Sequence, residues 1–286
     1  MPSSLKKHSV RSAAPVGFAL LLVSGFVFAT FPAWKSLIHA WSNSEDYSHG
    51  FFIVPVAIYL VWSKKETLSK IPVQGSLWGL ILFLFSLFVF IITHLSGILT
   101  LRALSIIPLI AGIIIYLFGF RTLKAVAFPV TLLLLMVPIP SQIYSSLTIP
   151  LQLLVSKAAV WFASVLGVPV FREGNVIHLA DRTLQVVRAC SGMRSIISLL
   201  TLSAVFGYLT LRSNLLRSLL FLSGIPVAII VNIVRVLLML LAFHYVSIDL
   251  TKGHYHLMLG MFVFLIALGM LFSIKIVLSR WDRYPS

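Results

Sequence analysis

Long apolar runs separated by short polar stretches dominate this chain of 286 residues. Runs near 15–33, 49–63, 75–94, 99–119, 123–139, 190–210, 215–243 and 255–276 read as helices that cross a bilayer at about 1.5 Å per residue. The second is the shortest and opens with His49-Gly50. The first follows Lys6, Lys7 and Arg11, is too long for a cleaved leader and lacks an A-x-A exit, so it reads as a membrane helix. The pattern breaks between Pro138-Ile139-Pro140 and Arg188. There, 143–167 mixes Ser, Thr, Gln152 and Lys157 with apolar residues around Pro150, which predicts a helix lying in the interface or shallowly re-entrant. The stretches 168–179 and 183–187 surround turn residues and predict short strands. The expectation is an all-α polytopic membrane protein of about eight transmembrane helices, an interfacial helix and a small external β cap. Residues 1–286 form one domain in this reading, with the cap at about 140–188.

Composition sharpens that picture. A mean hydropathy of +1.05, with 59% hydrophobic and 10% charged residues, excludes a soluble globular domain. A net charge of +15 would suggest nucleic acid if it formed one block, but the cations are scattered between apolar runs, so no nucleic-acid partner is expected. They read as topology signals. With the N-terminus inside, alternate connections carry Lys64, Lys65 and Lys70, then Arg121 and Lys124, then Arg212 and Arg217, then Lys275, Arg280 and Arg283. That side holds 13 of the 22 Lys and Arg and only Glu66 and Asp282 of the 7 acids. The positive-inside rule then places both termini in the cytoplasm.

The chain has a single cysteine, Cys190, which excludes an internal disulfide and a Cys-rich metal site. If the run from Ser191 is a helix, Cys190 lies in its first turn, where free N–H groups favour a thiolate. Arg188 and Arg194 add positive charge, the latter one turn on and on the same face. The plainer alternative is a small buried structural residue. Asn232 and Arg235 share a face of the seventh run, where an arginine must pair, face a wet cavity or snorkel. His254 and His256 open the eighth run, suited to proton transfer or to the interface; i,i+2 spacing without a nearby carboxylate makes a metal pair a poor fit. Gly260, one turn from His256, leaves a notch beside the imidazole. Alternating direction puts Cys190, Arg235 and His256 at one outer level. A thiol, a guanidinium and an imidazole there form a nucleophile, a charge stabiliser and a proton carrier for cysteine acyl transfer, with no cofactor and no metal called for.

At these residues the chain resembles the exosortase and archaeosortase family of membrane cysteine transpeptidases. Ala189-Cys190-Ser191-Gly192-Met193-Arg194 matches its A-C-S-G-[LM]-R, Asn232-x-x-Arg235 its N-x-x-R, and His256-x-x-x-Gly260 its H-x-x-x-G. Asp46-Tyr47-Ser48-His49-Gly50 and Val137-Pro138-Ile139-Pro140 extend the likeness to roughly residues 40–275. The resemblance implies that Cys190 is the acyl-thioester nucleophile, Arg235 the proton donor or charge stabiliser and His256 the third member, with Arg194, Arg188, Asn232 and Ser191 in support. Gly253-His254-Tyr255-His256 departs from the pattern, since many relatives have an acid before a single histidine. The implied partners are membrane lipid and secreted proteins ending in a Pro-Glu-Pro-type motif, one transmembrane helix and a basic tail. The motif's glutamate would meet Arg182, Arg188 and Arg194. The implied location is the bacterial inner membrane with the site facing the periplasm. A transporter using Arg235 and His256 as an ion path, or a non-catalytic part of exopolysaccharide export, are the rival readings.

Overall fold

The computed structural model describes residues 14–180, 183–185, 192–251 and 253–282, the side chains of 14–23 and 185 excepted. The first six helices are α1 (Ala14–Asn43), α2 (Gly50–Ser63), α3 (Lys65–Ser69), α4 (Leu77–Leu95), α5 (Leu99–Phe118) and α6 (Phe120–Ala125). Then come α7 (Ala127–Leu132), a 3-10 turn (Leu133–Met136), α8 (Ser141–Val165), α9 (Met193–Thr210), α10 (Asn214–Leu241), a π turn (Ala242–Val246) and α11 (Gly253–Trp281). Apolar runs become helices because a bilayer offers the backbone no other partner.

Six described helices are long and apolar enough to cross a membrane: α4, α5, α8, α9, α10 with its π turn, and α11. Three of the expected eight are not among these six: the run at 15–33 in α1, part of which lies outside the described side chains, and the runs at 49–63 and 123–139. The runs at 49–63 and 123–139 fall short, because α2 has 14 residues and the other is broken into α6, α7 and the 3-10 turn. The run at 143–167, expected to lie in the interface or to be shallowly re-entrant, forms α8, one helix of 25 residues through Pro150 that matches a span in length and composition.

The helices end at two levels. At one, the Lys64 ammonium donates to the Ala125 carbonyl at 2.6 Å and lies 5.2 Å over the Tyr208 ring, which the Arg217 guanidinium also covers at 5.1 Å. Asp282 accepts the N–H groups of Arg212 at 2.6 Å and Ser213 at 3.0 Å, closing the positive end of α10. Those two donors hold its carboxyl below the usual carboxylate range. At the opposite level the chain turns through Leu135–Ile139, where Pro138 and Pro140 lack the N–H groups a helix needs. Its carbonyls are met by side chains instead. His49 donates to Leu135 at 3.0 Å, Trp41 to Met136 at 3.1 Å, Thr100 to Pro138 at 2.9 Å and Tyr47 to Ile139 at 3.1 Å. Gly50 is glycine because a Cβ there would lie 2.4 Å from the Trp41 indole.

From this second level α8 leads onward in the direction of α10. Near its start the Tyr144 ring meets Tyr47 edge-on at 6.1 Å, and just past its end the Leu166 carbonyl accepts the Tyr245 hydroxyl at 2.8 Å. A small sheet covers it: β1 (Val170–Glu173), β2 (Val176–Leu179) and β3 (Thr183–Gln185), antiparallel in that order. The Ser156 hydroxyl ties α8 to the β1–β2 turn through the Gly174 carbonyl at 3.2 Å, and Ile177 is the sheet's buried anchor. The expected cap is present and delivers the chain to α9.

Candidate active site

Gly192 precedes α9 in the left-handed conformation, φ +87°, and its carbonyl accepts the Ile196 N–H at 2.8 Å. It presses on α10. A Cβ at 192 would lie 3.1 Å from Asn232 Nδ2 and 3.3 Å from Asn232 Cβ, so both the backbone conformation and the close approach call for glycine. Asn232 is 2% exposed. Cys190, Ser191 and Arg188 lie outside the described residues, as does Arg182. One correction follows all the same. The helix was expected from Ser191 with Cys190 in its first turn, but it begins at Met193, and Cys190 precedes the capping glycine by two residues. A glycine at φ +87° cannot belong to a right-handed first turn, which is why the start moves.

Arg194 is also placed differently. The sequence expectation is that it adds positive charge one turn from Cys190 on the same helical face. Instead its Nη2 meets Glu45 Oε2 at 2.5 Å, with Nε 3.6 Å from Asp46 Oδ1. Two carboxylates offset the charge of Arg194. They come from the turn between α1 and α2, and tie that turn to the first turn of α9. Beside them, burial first and the Asp46 carboxylate second push the Tyr47 phenol up, so it stays protonated and donating to Ile139.

The structure brings Arg235 and His256 together. Arg235 Nη2 donates to His256 Nε2 at 2.8 Å. A guanidinium has no acceptor, so this Nε2 carries no proton and the neutral ring holds its hydrogen on Nδ1. That nitrogen faces the Leu250 carbonyl at 3.3 Å. Arg235 is thus paired across two helices instead of snorkelling. A Cβ on Gly260 would stand 3.7 Å from Arg235 Nη2, so the glycine notch lies against the guanidinium and not, as expected, the imidazole. His254 is exposed, while His256 is half-buried. Asn232, one turn before Arg235 on α10, touches Gly192, so the pair and the end of the cysteine segment share one level of the bundle.

Three things escaped the sequence reading. Glu45 and Asp46 hold Arg194; a signal existed, since they are the only adjacent acids in the chain. The backbone carbonyl of Leu250, which orients the imidazole, has no sequence signature. Arg102, buried in α5, donates to His94 Nδ1 at 2.9 Å and to the Ser36 hydroxyl at 2.7 Å, and its position inside an apolar run was the clue.

Fold and site together define a polytopic helical membrane protein with an arginine–histidine pair at one end of its bundle. The model of the transmembrane exosortase family matches residues 41–273, and the chain belongs to that family. No curated protein and no solved structure matches it.

Proposed function

We propose that the chain is a cysteine transpeptidase or protease that cleaves C-terminal sorting signals of secreted proteins through an acyl-thioester at Cys190. The observation that carries this reading is the Arg235–His256 pair at 2.8 Å, one helical turn from the asparagine that packs on Gly192. Two peptide units separate Gly192 from Cys190, a reach of at most about 7 Å.

The pair suggests an order of events. At rest the neutral imidazole lone pair is occupied by Arg235. Developing negative charge on the substrate carbonyl oxygen is a better acceptor than a neutral ring, since charge-assisted hydrogen bonds are roughly twice as strong. Arg235 turns to that oxygen and frees Nε2. His256 then takes the Cys190 thiol proton as sulfur attacks the scissile carbonyl, and the carbonyl's electron pair moves to the oxygen held by Arg235. Collapse of this intermediate breaks the C–N bond, and His256 Nε2–H gives its proton to the departing amine. The acyl-enzyme is resolved by an amine or by water.

The substrate in this reading has a Pro-Glu-Pro-type motif, one transmembrane helix and a basic tail. The helix lies in the bilayer beside the bundle, its tail on the side of Lys64, Lys124, Arg212 and Arg217. The positive-inside rule makes that side cytoplasmic, with both termini there, and the inner-membrane site faces the periplasm. The test is Cys190→Ala: processing is lost while the protein remains inserted and abundant, since the swap removes the nucleophile and little packing. Processing near the wild-type rate would end the proposal.

A further inference from the structure

A large groove lies away from the Arg235–His256 pair, along α2 and α5. It encloses about 820 Å³ and is walled by apolar side chains, among them Trp34, Ala57, Val61, Ile114 and Phe118, with Trp62 towards the Lys64 level. Its origin is a mismatch of lengths. At 14 residues α2 covers about 21 Å, against a hydrocarbon core of about 30 Å. The chain then turns under it through α3 and Ile71, leaving apolar walls that the described residues do not fill.

Around the mouth the charge is positive. Lys65 Nζ stands 4.8 Å over the Trp62 ring, Lys70 lies between the lining residues Ser69 and Ile71, and Arg121 adjoins the lining residue Thr122. All three cations are exposed, and Glu66 is the one acid on α3. We propose that this groove binds an anionic phospholipid of the surrounding bilayer, its acyl chains along α2 and its phosphate among Lys65, Lys70 and Arg121. Apolar walls of this size suit acyl chains, and a cationic rim at the interface suits the headgroup. Charge selects this occupant over two others. A second copy would bring an identical cationic rim to the same level, and so would a transmembrane helix with a basic tail there. Filling the groove also offsets the short α2, the usual response to mismatch being local adjustment of lipid. The proposal rests on the membrane fold and not on the chemistry proposed at Cys190.

The experiment places the full chain in phosphatidylcholine nanodiscs containing increasing fractions of acyl-brominated phosphatidylglycerol or acyl-brominated phosphatidylcholine. Bromine quenches nearby tryptophan, and Trp34 and Trp62 line the groove. Quenching of the wild type is expected to saturate at a low mole fraction of the anionic lipid, with at least tenfold preference over the zwitterionic one. Lys65→Gln/Lys70→Gln/Arg121→Gln should lower that preference at least tenfold, and Lys70→Gln alone about fivefold. Equal quenching by the two lipids in the wild type would overturn the proposal. So would a wild-type preference that persists in both variants.

Discussion

Replacing Gly192 by alanine isolates the contact between the cysteine segment and α10. The native φ of +87° is in the left-handed region, which costs a residue with a Cβ about 1–2 kcal/mol. The new methyl would also stand 3.1 Å from Asn232 Nδ2 and 3.3 Å from Asn232 Cβ and Cγ. Asn232 is buried on α10, so it yields only by a few tenths of an ångström. Crowding and backbone strain together come to about 2–3 kcal/mol at this one position. Either relief, unwinding the cap or displacing Asn232, shifts the segment leading to Cys190 against Arg235. A misplacement of about 1 Å costs roughly a hundredfold in rate. The assay is the ratio of processed to unprocessed substrate at matched membrane levels, with the melting temperature of the purified protein as fold control. Gly192→Ala should lose about two orders of magnitude in processing and several degrees in melting temperature. Adding Asn232→Ala removes the crowding but not the strained φ, so the melting temperature should recover only in part. Processing by Gly192→Ala at the wild-type rate would refute the positioning role of this contact.

Two further outcomes follow from the Arg235–His256 geometry. Arg235→Lys keeps the charge but loses the planar fork that holds the imidazole at rest and then the developing oxyanion, so processing should stay severely impaired; a largely active lysine variant would contradict this. His256→Ala should lose processing by two orders of magnitude or more, while the exposed His254→Ala keeps most of it. The reverse ranking, read in the same assay at matched levels, would transfer the proton-carrying role to His254.

Much of this architecture was legible because a bilayer restricts what a sequence can do. Apolar runs had to be helices, and the placement of Lys64, Lys124, Arg212 and Arg217 at one level follows from their positions in alternate connections. Convergence of Arg235 and His256 was legible too, since adjacent antiparallel helices bring the end of one run beside the start of the next. Local backbone detail was not. Gly192 looked like one small residue in a motif, whereas its left-handed φ sets where α9 begins, and that depends on the packing of Asn232. The partners of Arg194 come from 149 residues away, beyond any pattern a helical period can reveal. Polarity around Pro150 suggested an interfacial or re-entrant helix but not which residues it buries: α8 runs unbroken, with Thr148, Gln152 and Ser156 turned inward. The irregular Leu135–Ile139 stretch is held by four side chains from three other segments, none of them marked in sequence as its partner.

The central claim is that Cys190 forms a covalent acyl-enzyme. It is tested most directly by incubating the membrane-embedded protein with a substrate carrying the sorting signal, quenching rapidly in acid, and mapping the acylated residue by mass spectrometry. The account predicts a hydroxylamine-sensitive thioester on Cys190, carrying the substrate truncated at the motif, and no such adduct in Cys190→Ala. Substrate cleavage by Cys190→Ala, or an acyl group trapped on any other residue, would contradict it.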